Sequence, residues 1–487
     1  PPRSLAIEIA IVAGILLALL MGALDNFVVL TALPSIITDL NGPSSGETFI
    51  VSAYLISSTV AIPIFGKLSD LFDRKQIFIA GLLVFIAGSV LAGISQSFNE
   101  LVAFRAVQGF GSGAFFPVGI AIVAVIFPPE TRARVTGLLS GVFGIATVAG
   151  PLLGNFIVSS TTWRWVFYVN IPVGLAGLLV LLFALAPLRP ERMRSFDVIG
   201  AALLVGWVST LMFPLVEISE QNAGWTDVST IVLLASAVIL VIGFVLWELR
   251  DANPLVPLRL LRERIVGASA STTFMVGAIV FPLATLITTF VQGVTYGGIG
   301  DPSAAIRDIL YFLVIPLVIG AFLGGNLLAR FAYRPVVLAG VLISIVGMVF
   351  LIPVGASTPL WTLWAGVLPV GGLALPLIPI GFGVGLTFPV FLLAVQNQVA
   401  EADVGAASGL VQFFQSLGGA LGLTLLSTYQ QAVYGHPAGF SVDALASSYS
   451  AVFTVMLALL VISAITALFI AGRMPTKSAK SAGSGAA

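Results

Sequence analysis

Apolar stretches long enough to cross a membrane recur along the whole of this chain, and that recurrence constrains its fold more than any other feature. About 20 consecutive apolar residues carry an α-helix through the hydrocarbon core of a bilayer. Fourteen such stretches can be read, at roughly 7–33, 48–66, 76–95, 100–127, 135–158, 165–188, 198–219, 228–249, 266–295, 306–330, 336–353, 371–397, 405–428 and 449–472. A chain that is apolar on most faces is solvated by lipid. Of the 487 residues 58% are hydrophobic and only 9% charged, too few to clothe a soluble domain. A soluble enzyme, a disordered chain and a nucleic-acid-binding protein are therefore excluded. The predicted fold is an all-α membrane protein with 14 transmembrane helices.

The first stretch is too long for a cleaved signal peptide and reads as a permanent helix. If both termini are cytoplasmic, 18 of the 21 Lys and Arg fall on the inside. Arg164 and Arg307 then lie outside, and Arg105 falls within a span. A miscount by one helix would scramble that alternation, so the bias predicts an even number of spans and an in-in topology. The expected location is the cell membrane (plasma or inner), crossed many times, with the chain a monomer among membrane lipids. No cysteine is present, and the single histidine, His436, lies in a polar loop. The one Gly-Lys pair, Gly66-Lys67, is followed by Leu68. These facts argue against a metal site, a cofactor, a Ser/His triad or ATP hydrolysis by this chain.

The segment Gly66 to Lys75 closes the second span, and Gly325 to Arg334 closes the tenth, both inside. The second copy keeps Gly-x-Leu and the terminal base. Two chance basic turns would look the same. If the echo is a duplication, the second and tenth helices correspond, and two six-helix bundles plus two extra helices account for fourteen. The division is then 1–190 for the N-terminal bundle, 191–262 for two linker helices, 263–475 for the C-terminal bundle and 476–487 for a cytoplasmic tail. Repeats of this kind are common in secondary transporters, whose substrate site lies between the halves near the midplane.

Asp25 is the one carboxylate well inside a span, about 12 Å from its outer end by helical rise. Arg105 lies about 9 Å from the outer end of the fourth span, at comparable depth. A charge there is costly unless paired or hydrated, so both are functional candidates. Asp25 can load and release a proton, or it can staple two helices through an ion pair. Arginine stays charged and can only tune a carboxylate or organise hydrogen bonds. Gln108, Ser112 and Phe116 continue the Arg105 face. Gln412 and Gln415 share a stripe of the thirteenth span, and Gln292 ends one in the ninth. Amides and hydroxyls beside aromatic rings suit large amphipathic ligands, or else join helices by hydrogen bonds.

Four segments resemble the major facilitator superfamily. Gly66, Asp70, Arg74 and Lys75 fit the glycine, acidic and basic positions of its signature inner loop. Arg105-Ala106-Val107-Gln108-Gly109-Phe110-Gly111 is similar to its Arg-x-x-Gln-Gly-x-Gly segment. Gly144 through Gly150, Pro151 and Gly154 resemble the motif of its exporters. Trp163-Arg164-Trp165 through Asn170-Ile171-Pro172 resembles the lead-in to the sixth helix of its fourteen-helix drug:proton antiporters. The resemblance implies two bundles rocking about a central cavity, with the inner loop latching the outward-facing state.

The expected function is proton-coupled secondary export of hydrophobic or amphipathic compounds, with protons and such compounds as partners. An alternative is a lipid exporter of the same family, to which Gly22–Val29 and Gly113–Val118 look similar. Gly144 and Gln415 stand where that branch leads one to expect charge. A membrane-embedded enzyme would need clustered acids, histidines or a metal at one depth, and only Asp25 qualifies.

Overall fold

The computed structural model describes residues 4–42, 46–188, 195–219, 224–291, 303–328, 331–353, 371–396, 404–434 and 441–470. These residues are helical throughout apart from connections, and no strand occurs among them. The helices are α1 (Leu5–Asp39), α2 (Gly46–Leu71), α3 (Arg74–Ile94), α4 (Phe98–Ser112), α5 (Phe115–Ile126), α6 (Pro129–Ser160), α7 (Trp165–Tyr168), α8 (Asn170–Ala184), α9 (Val198–Ser219), α10 (Val228–Arg250), α11 (Arg264–Phe290), α12 (Ser303–Leu327), α13 (Tyr333–Leu351), α14 (Gly371–Gln396), α15 (Val404–Tyr434) and α16 (Val442–Ala467). Twelve spans long and apolar enough to cross a membrane occur among the described residues, α4–α5 and α7–α8 each making one. Beside them stand α6, with 32 residues, and α12, with 25. Gln292, Arg330, His436 and the 476–487 tail lie outside the described residues.

Local chemistry sets the helix ends. Ser97 caps α4 by accepting from the Glu100 amide, and the Glu100 carboxylate reaches back to the Gln96 amide at 2.8 Å. Asp73 caps α3 by accepting from the Lys75 amide at 2.9 Å. Pro129 opens α6, where its missing N–H costs nothing. Prolines also sit inside α2, α9, α11, α12 and α14. Membrane helices tolerate them where neighbours re-satisfy the freed carbonyls.

Helices α1 to α8 pack with one another, and so do α11 to α16. Helices α9 and α10 form a hairpin, with α9 against α2 and α15. Trp207 of α9 meets Phe413 of α15 edge-on at 6.2 Å, and Phe213 meets Phe49 of α2 at 6.1 Å. Large side chains such as Phe183, Val228 and Ile239 point outward, as a lipid solvent requires.

The two groups meet mainly where α2 packs on α15 and where α6 packs on α12. Both seams are tight at the end of the molecule that carries residues 66–75. A Cβ at Gly409 would lie 3.6 Å from the Gly66 Cα, and one at Gly137 would lie 3.2 Å from the Ala321 carbonyl oxygen.

Candidate functional site

Asp25 lies in the middle of α1, an otherwise apolar helix. It is 1% exposed, as is Arg105 of α4. The two form a salt bridge through Asp25 Oδ2 and Arg105 Nη1. Asp25 Oδ1 accepts from Gln108 Nε2 and from Asn170 Nδ2, each at 2.8 Å. Arg105 Nη1 also donates to Gln108 Oε1 at 2.7 Å. Ser89 of α3 completes the shell: its hydroxyl accepts from Gln108 at 3.1 Å and Asn170 at 3.0 Å, and donates to the Phe167 carbonyl at 2.8 Å. The Arg105 guanidinium lies over the Tyr54 ring, 4.3 Å from its centroid, with Phe167 at 5.8 Å. Tyr54 in turn donates to the Gly22 carbonyl at 3.1 Å.

Six helices, α1 to α4, α7 and α8, converge on this point, and close backbone packing brings them there. A Cβ at Gly88 would stand 2.6 Å from the Gln108 Cα, so only glycine lets α3 approach α4 this closely. Asn170 reaches Asp25 because α8 starts at that residue, after the short helix α7.

Every contact to Asp25 comes from a donor, an arrangement that suits the ionised carboxylate. Besides Asp25, Arg105 is held by Gln108 and by two aromatic faces, while its Nε is buried without a hydrogen-bond partner.

The residues that resemble the signature inner loop cluster at the other end of α2. Asp70 and Arg74 are buried and paired at 3.6 Å. Lys75 Nζ donates to the Leu182 carbonyl at 2.7 Å, and Asp73 accepts from the Leu188 amide at 3.1 Å, tying the turn to the end of α8. Gly66 faces Gly409 across the α2–α15 seam.

Helix α6 runs unbroken through Gly144, Gly150, Pro151 and Gly154. Its glycines serve two faces. Gly137 and Gly141 lie against α12, whereas Gly150 and Gly154 lie against Phe27 and Val28 of α1.

The cavity candidates are scattered. Gln108 belongs to the Asp25 shell and is 0% exposed. Ser112 and Phe116 are half-buried, and Ser112 donates to the Gly109 carbonyl at 2.8 Å. Gln412 and Gln415 are buried on α15, and Gln292 lies outside the described residues.

Asn170, Ser89 and Tyr54 carry no charge and so give no cost signal in an apolar run. Asn170 stands within the segment quoted from the sixth-helix lead-in, and that was its one visible trace. At the far end of α1 the same lead-in holds Asp39. Trp163 Nε1 donates to it at 2.9 Å and Arg164 Nη1 at 2.8 Å. The Arg164 bond, then the Trp163 bond, hold the Asp39 carboxyl below its ordinary range.

A family model described as Major Facilitator Superfamily matches residues 15–423. Multidrug resistance protein 3 of Bacillus subtilis is 33% identical over 424 residues, 87% of this chain and 80% of that one. The tetracenomycin C resistance and export protein of Streptomyces glaucescens is 32% identical over 433 residues, 87% of this chain and 76% of that one. The human organic anion transporter MFSD10 shares the fold, with a TM-score of 0.63 at 16% identity, over 93% of this chain and 99% of that one. Family and structural neighbours alike are transporters of small molecules, and in a bacterium such a multi-pass chain resides in the plasma membrane. The chain belongs to the major facilitator superfamily.

Proposed function

We propose that this chain is a proton-coupled exporter of hydrophobic or amphipathic compounds, working by alternating access. The observation that carries the reading is Asp25, sealed in the core of one half with an ion pair that protonation would release. Proton uptake there changes which contacts α1 makes with α4 and α8, the change a coupled transporter needs. Relatives named for multidrug resistance and antibiotic export favour this substrate class over lipids.

The topology that goes with it has fourteen spans, with α6 and α12 counted beside the other twelve. At 1.5 Å per residue both are long enough to cross a membrane of about 30 Å. Both termini are then cytoplasmic, and the division into 1–190, 191–262 and 263–475 follows the packing of α1–α8, α9–α10 and α11–α16. The Gly66–Lys75 turn becomes the cytoplasmic latch, and both seams close on that side. Gly137 and Gly141 provide the sliding face of α6, while Gly150 and Gly154 bind it to α1. Phe116, Gln412 and Gln415 line the path between the halves.

The test is transport in proteoliposomes under an imposed pH gradient. Lipophilic cationic dyes should accumulate against their gradient, and Asp25→Asn should lose that accumulation while keeping its helical content. Full gradient-driven export by the variant would overturn the assignment. Transport confined to acylglycerols would favour the lipid reading instead.

A further inference from the structure

A pair of buried carboxylates closes the base of the α9–α10 hairpin. Asp197 immediately precedes α9 and is 6% exposed; Glu248 lies in the last turn of α10 and is 0% exposed. Asp197 Oδ1 accepts from the Gly200 amide at 2.7 Å and from Trp247 Nε1 at 2.9 Å. Glu248 Oε2 accepts from the Val256 amide at 3.1 Å. The other oxygen of each, Asp197 Oδ2 and Glu248 Oε1, is buried without a hydrogen-bond partner.

Those two oxygens border the same space. A Cβ at Gly200 would collide with Asp197 Oδ2 and would lie 2.7 Å from Glu248 Oε1. With no side chain at Gly200, both oxygens open onto that space. The charged groups facing Glu248 are Asp197, Asp251 at the end of α10 and Lys67 of α2, two acids against one base. If both carboxylates were ionised, like charges would face each other in a desolvated site, each with an acceptor unmet.

We propose that Asp197 and Glu248 share one proton, which makes the hairpin base a proton-binding site separate from Asp25. One carboxyl takes H⁺ from the adjoining aqueous phase and donates the resulting O–H to the unpartnered oxygen of the other. A single proton thereby satisfies both orphan oxygens and removes one of the two facing charges. A metal cation would need several more oxygen ligands, and among the described residues no group of three acidic, His or Cys side chains assembles. Loss of the proton leaves a doubly charged pair opposite Lys67, the residue that follows Gly66 on α2. The protonation state of the hairpin is therefore felt at the helix that carries the gate segment. This site stands or falls independently of Asp25.

Infrared spectroscopy of the full chain in detergent tests it. A protonated-carboxyl stretch, shifted in D₂O, should be present at neutral pH in the wild type and in Asp25→Asn. It should vanish in Glu248→Gln and in Asp197→Asn, whose amides can each donate the same hydrogen bond and so keep the hairpin folded. The melting temperature of the wild type should fall as rising pH removes the proton, and both amide variants should lack that step. Should one variant fail to fold, the other carries the same comparison. Absence of the band from the wild type at neutral pH, or its survival in either amide variant, would overturn the proposal. So would stabilisation of the wild type at high pH by sodium or calcium that Glu248→Gln does not show.

Discussion

The N-terminal half buries a carboxylate and a guanidinium at its centre; the C-terminal half buries hydroxyls and amides. Asp25 and Arg105 sit among α1, α4 and α8, whereas the buried polar side chains of α11 to α16, among the described residues, are Ser, Thr and Gln throughout. The α11 hydroxyl of Thr272 illustrates the second kind, bonding the Ala268 carbonyl at 2.7 Å and Thr466 of α16 at 2.9 Å. A buried charge is expensive and its cost depends on protonation; a buried hydroxyl costs little and ignores pH. The proposed proton-coupled step thus belongs to the N-terminal half, while the buried polar groups of the other half serve packing.

The most damaging way to break that contrast is to strand the charge. Arg105→Ala leaves Asp25 buried with only amide donors. A broken buried pair costs about 3–5 kcal/mol, which thermal unfolding in detergent should register as a large drop. The double variant Asp25→Asn/Arg105→Gln makes this core as neutral as its counterpart. It should regain much of the stability and remain uncoupled.

A smaller effect separates the two faces of α6. Gly150→Leu drives a side chain into Phe27 of α1, and overpacking should cost about 1–3 kcal/mol. Gly141→Ala meets nothing nearer than a Val318 methyl at 3.7 Å and should melt like the wild type. Equal melting temperatures for these two variants would erase the distinction between a fixed face and a sliding one.

In the neutral half, Thr272→Val removes one interhelical hydrogen bond. In a membrane such a bond is worth about 0.6 kcal/mol. Pumping stoichiometry, measured as protons moved per substrate, should be unchanged by it.

The smallest effect belongs to Asp39, largely exposed at the end of α1. Its carboxyl is held below the ordinary aspartate range, so the folded state binds fewer protons than the unfolded one. Its contribution is present above about pH 4 and fades as pH falls through the folded value. Asp39→Asn should therefore melt slightly lower than the wild type above about pH 4 and converge on it at more acid pH, which flattens the acid limb of the melting-temperature profile.

What could be read in the sequence follows the same physics. Apolar length announces spans, so twelve of the expected stretches coincide with apolar helices among the described residues. Asp25 and Arg105 stood out because charge inside an apolar run is costly. Asn170, Ser89 and Tyr54 did not, because neutral side chains carry no such penalty and their meeting depends on close helix approach, as at Gly88. Asp197 and Glu248 give no signal for another reason: acids at helix ends are ordinary, and only the tertiary fold buries these two. Gln108 shows the converse limit. Its helical face places it beside Ser112 and Phe116, while its bonds to Asp25 and Arg105 depend on the tertiary fold.

The central claim is that Asp25 carries the coupled proton. Proton release on substrate binding tests it most directly, with purified protein in weakly buffered detergent at a pH acid enough to protonate Asp25, a pH-indicator dye and a saturating lipophilic cation. The account predicts release of about one proton per wild-type molecule and none from Asp25→Asn, with binding itself retained. Undiminished release from the variant would contradict it.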